Sequence, residues 1–232
     1  PREKLLVKLK QYHAALHPEE TVVDLLKELL TTEEFSINED NNCTIIYNYA
    51  DATLAPAAHH NLELNKALSE LSFGMLQKSL VLSDRVDRWQ VYTVYRIPRE
   101  IHALLQSKFR SGKYWHFNSL LLVGLEINEQ DEAIMRLYFY PDKFTVLILH
   151  KGQLIHLQTY FYQVPEDVAF YLLSVCRLHG LKPEEIKVSI AGLIESDSAL
   201  YHELGRYFLY LQWIESNWQS NTVGEYPPHY FS

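Results

Sequence analysis

From Ala133 to Tyr140 the chain alternates with a period of two, Ile134, Arg136 and Tyr138 on one side and Met135, Leu137 and Phe139 on the other. This predicts a strand that turns at Pro141-Asp142-Lys143 into a second strand, Phe144 to His150. Lys151-Gly152 is a tight turn into a third, Gln153 to Tyr162, rich in β-branched and aromatic residues. The period then lengthens. Pro165 suits a first helical position, Glu166 and Asp167 favour the positive end of the helix dipole, and Val168, Leu172, Val175, Cys176 and His179 form one stripe that Gly180 ends. Ile186, Val188 and Ile190 alternate toward Gly192, a short strand whose end implies close backbone approach. Ser196 or Asp197 is placed to cap a helix carrying Leu200, Leu204 and Phe208, and Leu209 to Ile214 is a further strand.

The first half has the same grain with weaker signals. Leu5 to Tyr12 reads as strand or helix, and Val22 to Leu30 as a helix with Leu25, Leu26, Leu29 and Leu30 on its apolar side. Thr44 to Asn48 is a strand that Thr53 to Pro56 extends or ends, and Leu62 to Met75 is helical. Val91 to Ile97 is a strand broken by Pro98; Ile101, Leu104, Leu105 and Phe109 give helical spacing before Gly112. Lys113 to Phe117 and Leu120 to Leu125 follow as strand and helix. The polar stretch Asn128 to Glu132 places a boundary near Gln130, giving lobes 1–130 and 131–232. In the second lobe the order strand, strand, strand, helix, strand, helix, strand is that of a ribonuclease-H-like layer.

Composition removes several functions. With 21 Lys and Arg against 29 Asp and Glu, the charge is −8, and the acidic excess runs through both halves. Nucleic-acid binding needs clustered cations, so no nucleic-acid partner is expected. An apolar fraction of 47% over 232 residues is enough for a packed core. Ser119 to Leu125 is far short of the roughly eighteen apolar residues that span a bilayer. Cys43 and Cys176 make no disulfide framework, which fits a reducing, cytoplasmic setting. The chain opens at Pro1 and closes on Ser232 just after an aromatic segment, ends that read as cut.

Several segments together resemble an uncharacterised bacterial family known as a domain of unknown function. They are Tyr49 to Pro56, Tyr95-Arg96-Ile97-Pro98, the run from Phe161 to Phe208 with Glu166-Asp167, Tyr171-Leu172-Leu173 and Leu181 to Glu185, and the terminal Pro228-His229-Tyr230-Phe231. The resemblance implies an α/β architecture, the actin-like ATPase fold, with two ribonuclease-H-like lobes and mixed sheets. It implies no established activity. It also implies a first strand hairpin that this chain lacks and a continuation beyond Phe231.

Such ATPases close glycine-rich turns on phosphate oxygens and place a metal with an aspartate. None of the 8 glycines here forms a Gly-x-Gly pair, and no Asp-x-Gly occurs. The turn in the phosphate-loop position reads Tyr140-Pro141-Asp142-Lys143-Phe144-Thr145. Asp142, Thr145 and Gly192 are the candidate remnants of a nucleotide site, set against an ordinary β-turn and a packing glycine. Other nucleotide loops and the serine-hydrolase elbow are missing. Among 11 histidines, His59-His60 has no spacing that completes a metal site, and His150 and His156 read as cross-strand neighbours, solvated or stacked. Burial should leave Cys176 unreactive. The aromatic total of 16 Tyr, 10 Phe and 4 Trp fits packed sheets, with the stretch from Trp213 to Phe231 expected to dock on a lobe of this chain or another. The resulting expectation is a non-catalytic actin-like scaffold without cofactor or metal, acting through a protein partner. Its rival is an enzyme or sensor that binds a nucleotide or other small ligand between the lobes.

Overall fold

The structure is a computed structural model, and its described residues are 5–6, 12, 21–32, 43–75, 77–125, 133–214 and 219–220. The chain divides into two compact units, Lys10–Leu125 and, separately, Glu126–Ser232 together with Pro1–Leu9. The predicted boundary at Gln130, most of Leu5 to Tyr12, and Trp218 and Tyr226 to Phe231 of the aromatic tail lie outside the described residues.

β1 (Leu5–Leu6) belongs to the C-terminal unit. The N-terminal unit begins with α1 (Val22–Thr32), whose first turn is capped reciprocally: Asp24 N–H donates to Thr21 Oγ1, and Thr21 N–H to Asp24 Oδ2. β2 (Thr44–Tyr47) and β3 (Ala52–Pro56) follow, then α2 (Leu62–Phe73), β4 (Ser79–Val86), β5 (Val91–Pro98), α3 (Arg99–Lys108), β6 (Lys113–His116) and α4 (Phe117–Val123). β2 and β3 are distinct strands rather than one extended run. β2 pairs in parallel with β6, whereas β3 joins an antiparallel sheet of order β3-β5-β4. β4 is absent from the sequence expectation because Ser83, Asp84 and Arg85 interrupt its apolar run. Phe109 closes α3 as its C-cap instead of lying inside it.

The antiparallel sheet has two chemically different faces. Leu80, Leu82, Asp84 and Val86 share one with Thr93, Tyr95 and Ile97; Ser83, Tyr92 and Arg96 lie on the other. The second face carries α2. Asn61 caps it by accepting the Leu64 N–H, while Arg96 holds its last turn by donating to the carbonyls of Phe73 and Gly74 and to the Asp51 carboxylate.

The C-terminal unit contains β7 (Ala133–Phe139), β8 (Lys143–His150), β9 (Gln153–Phe161), α5 (Pro165–His179), β10 (Lys187–Gly192), α6 (Ala199–Gly205), β11 (Tyr210–Trp213) and β12 (Gln219–Ser220). Five strands form a mixed sheet of order β11-β10-β7-β8-β9, with the β7–β8–β9 meander antiparallel and β10 and β11 parallel to β7. β12 pairs in parallel with β1. Met135, Leu137 and Phe139 of β7, Phe144, Val146 and Ile148 of β8, and Val188 and Ile190 of β10 pack with Val168, Leu172, Val175 and Cys176 of α5 and Leu200 and Leu204 of α6. At roughly 1.5–3 kcal/mol for each large apolar side chain buried, this layer dominates the unit's stability. α5 starts at Pro165, with the Asp167 carboxylate accepting the N–H groups of Gln163 and Val164 just ahead of it, and stops at Gly180, where φ is +66°. The cap of α6 is Ser198, one or two residues after the expected Ser196 or Asp197, because its hydroxyl accepts the Tyr201 N–H.

Candidate functional site

Asp142 and Thr145 sit on one hairpin, and Gly192 ends a nearby strand. The β7–β8 connection is a tight turn in which Tyr140 N–H donates to the Lys143 carbonyl at 2.8 Å. Pro141 has no N–H to offer. Tyr162 clamps the loop from outside, donating its own N–H to the Asp142 carbonyl (3.0 Å) and its hydroxyl to the Tyr140 carbonyl (2.9 Å). The Asp142 side chain is exposed. Lys143 lies with its ammonium 5.6 Å from the Tyr140 ring, and burial holds its pKa below the ordinary lysine value against the opposing pull of Asp142.

Thr145 is fully buried, and its hydroxyl is 2.9 Å from that of Thr159 on β9. Gly192 has φ +94°, and a Cβ there would meet the Phe139 carbonyl oxygen at 2.1 Å. Phe139 and Phe144 stack on that same side of the sheet, while Thr145 pairs with Tyr138 and therefore faces the opposite way. The threonine is thus turned away from the Phe139 face, and the space beside the glycine is filled by the Phe139 backbone.

The N-terminal unit contains a polar cluster that the sequence reading missed. Asp84 projects from β4 and accepts from Tyr95 Oη (3.1 Å), the His116 backbone N–H (2.6 Å) and Ser119 Oγ (2.8 Å). Burial raises its pKa, while the His116, Ser119 and Tyr95 hydrogen bonds oppose that rise. A serine, a histidine and an aspartate therefore meet, but not as a nucleophilic triad. The His116 ring donates from Nε2 to the Tyr49 carbonyl (3.0 Å) and accepts the Asn118 N–H at Nδ1 (3.1 Å), so both nitrogens are committed to backbone. Ser119 donates straight to the carboxylate with no histidine between them, so the serine–histidine–aspartate relay is not formed. Beside this cluster the Tyr47 hydroxyl lies 2.8 Å from His102 Nδ1, and Tyr47 stacks on Tyr114 with centroids 6.1 Å apart. Two of the resembling segments meet here: Tyr49 and Asp51 come from one, Tyr95 and Arg96 from the other.

The remaining candidates resolve simply. His150 pairs with Gln153, and His156 pairs with Ile148, so those two histidines are not opposite each other. The hairpin register and a bulge at Ile148/Leu149 separate them. His156 instead bonds the Tyr160 hydroxyl at 3.0 Å and His179 at 3.3 Å; burial and the neighbouring His179 push its pKa down to about 4. His60 stacks on Tyr92 and reaches Ser83 Oγ at 3.0 Å. Cys176 is buried, with its pKa pushed up to about 11 first by burial and then by Glu184. Among the described residues no three His, Cys, Asp or Glu side chains gather to hold a metal, and no helix is long and apolar enough to cross a membrane. Within the C-terminal unit a groove of about 350 Å³ is lined by residues including Ala133, His150, Lys151, Lys182 and Glu185. It lies at the sheet end where β7 begins, away from the Pro141-Asp142 turn.

Comparison with solved structures places the fold. A protein of unknown function from Bacteroides thetaiotaomicron VPI-5482, described as having an actin-like ATPase fold, superposes with a TM-score of 0.78 over 86% of this chain and 78% of its own, at 15% identity. A PilM–PilN type IV pilus biogenesis complex matches over 86% of this chain and 76% of its own at 12% identity, with a TM-score of 0.44. No curated protein matches. The chain therefore has the actin-like ATPase fold, α/β with mixed sheets. A family model described as "Protein of unknown function (DUF3822)" matches residues 1–211, and this chain belongs to that family.

Proposed function

We propose that this chain is a non-catalytic protein of the actin-like ATPase fold, a scaffold that works through contacts with other proteins. The observation that carries the reading is the Pro141-Asp142 turn. A phosphate loop must aim consecutive backbone amides at its ligand. Here Pro141 has none, the Tyr140 amide is spent on Lys143, and Tyr162 clamps the loop through two carbonyls. Thr145 and Gly192 support it further, the one committed to Thr159 and the other packed against Phe139. On this reading Asp142, Thr145 and Gly192 stand where a nucleotide site would be without supplying its chemistry.

Calorimetric titration of the purified chain with ATP and magnesium is expected to give no heat of binding and no phosphate release. Micromolar affinity with turnover overturns the proposal in favour of a ligand-binding enzyme. Affinity lost on Asp142→Ala would locate that ligand at the turn.

A further inference from the structure

His156 and His179 face each other across the seam between α5 and the edge strand β9. The register brings them together. His156 pairs with Ile148, which packs in the core with Val175 and Cys176 of α5, and His179 is the last residue of that helix. The ring nitrogens that meet are His179 Nε2 and His156 Nδ1, 3.3 Å apart, with the rings at 71° and their centroids 5.4 Å apart. That separation is at the loose end for a hydrogen bond. It is also the spacing of two imidazole nitrogens on one tetrahedral ion, since bonds of about 2.0–2.1 Å at the tetrahedral angle set them about 3.3–3.4 Å apart.

The surroundings suit a ligating pair. The far nitrogen of His156, Nε2, bonds the Tyr160 hydroxyl at 3.0 Å, and those two rings lie 5° from parallel. Tyr160 stacks in turn on Tyr171 of α5 with centroids 4.6 Å apart. A histidine that holds a metal has its other nitrogen anchored in this way, which fixes both ring direction and tautomer. Both histidines are half-buried, so the pair is reached from solvent without unfolding. The seam also lies at the C-terminal end of α5, where the helix dipole favours a cation.

We propose that His156 Nδ1 and His179 Nε2 together bind a divalent transition-metal ion of the zinc class, with water completing its coordination. Each ring keeps its single proton on the other nitrogen: His156 Nε2 then donates to the Tyr160 hydroxyl, and His179 carries its proton on Nδ1. Imidazole selects zinc, copper or nickel, whereas magnesium and calcium take oxygen ligands. No third His, Cys, Asp or Glu joins the pair among the described residues, so the ion is held less tightly than in a three- or four-ligand centre and exchanges with solution. The sequence hides the site because its two members lie 23 residues apart on different elements. A bound ion ties the end of α5 to the sheet edge, and this does not depend on whether the fold binds nucleotide.

Calorimetric titration of the chelator-treated full chain with zinc chloride at neutral pH tests it. The wild type is expected to bind zinc in the micromolar range and to melt at a higher temperature with zinc present, while magnesium chloride does neither. His179→Gln, at the half-buried end of the helix, is expected to weaken binding at least about tenfold while circular dichroism without zinc stays unchanged. Tyr160→Phe keeps both ligands but frees the anchored ring, and a loss of about tenfold is expected. His150→Gln, on the same hairpin but outside the pair, is expected to have no effect. A readout that needs no variant is the NMR spectrum of the wild type, in which zinc should shift the ring signals of His156 and His179 together. Failure to take up zinc, or uptake that His179→Gln leaves undiminished, overturns the proposal and leaves the pair as a hydrogen bond.

Discussion

Gly192 lies so close beneath Phe139 that any Cβ on it would sit 2.1 Å from the Phe139 carbonyl oxygen and 2.6 Å from its nitrogen. The backbone φ of +94° adds strain for any other residue. Gly192→Ala should therefore cost about 3 kcal/mol or more, well beyond the roughly 1–2 kcal/mol that the conformation alone exacts. Gly180→Ala is the control: φ there is +66° with nothing within 4 Å, and a loss of only about 1 kcal/mol is expected. Urea unfolding of both variants decides it; equal losses would remove the close contact as the cause.

The Thr145–Thr159 hydroxyl pair makes a different prediction. Either single change to valine leaves a buried hydroxyl without its partner and should cost about 1–2 kcal/mol, while the double change should cost less than the two singles summed. A double-mutant cycle measures that coupling. Strict additivity would mean that the hydroxyls do not serve one another.

His156 sets a pH window. Its folded pKa of about 4 lies below the ordinary 6.5, so folding favours the neutral ring. Stability from this source is present above pH 6.5 and is lost as pH falls through the interval toward 4. Burial also lowers His102, which adds to the same slope. Denaturation of wild type and His156→Gln across this range should show the variant with the flatter profile. Parallel profiles would contradict it.

Arg96 offers a test of the α2 mounting. Arg96→Lys keeps the charge but cannot reach Asp51, Phe73 and Gly74 together, because the guanidinium fork is what spans them. A loss of about 2 kcal/mol is expected. Amide exchange should accelerate in the last turn of α2, and unchanged exchange there would refute the mounting.

How much of this was legible in the residues depends on whether a segment's pattern expresses one packing requirement. In the C-terminal unit it does. Met135, Leu137 and Phe139 alternate because one sheet face meets α5 and α6, and Gly192 reads as a close approach because glycine in a strand pattern often marks where another backbone comes near. In the N-terminal unit two features defeat pattern reading. β4 buries a carboxylate where alternation calls for a hydrophobe, so Asp84 disguised both the strand and the cluster around it. α2 has a sound helical period, but period does not say which side faces in, and here the leucines face out. The hairpin at Pro141 was recognisable from turn chemistry; the clamp by Tyr162 was not, since it joins residues 22 apart that lie just past the ends of β9 and β7.

Asp84 has a kinetic consequence. Its three donors come from Tyr95, His116 and Ser119, so one carboxylate gathers chain segments up to 35 residues apart. The β4–β5 hairpin can form early, but Asp84 stays short of partners until β6 and the start of α4 arrive. Closure of that loop belongs to the late side of the folding barrier, and Asp84→Asn should speed unfolding far more than it slows folding.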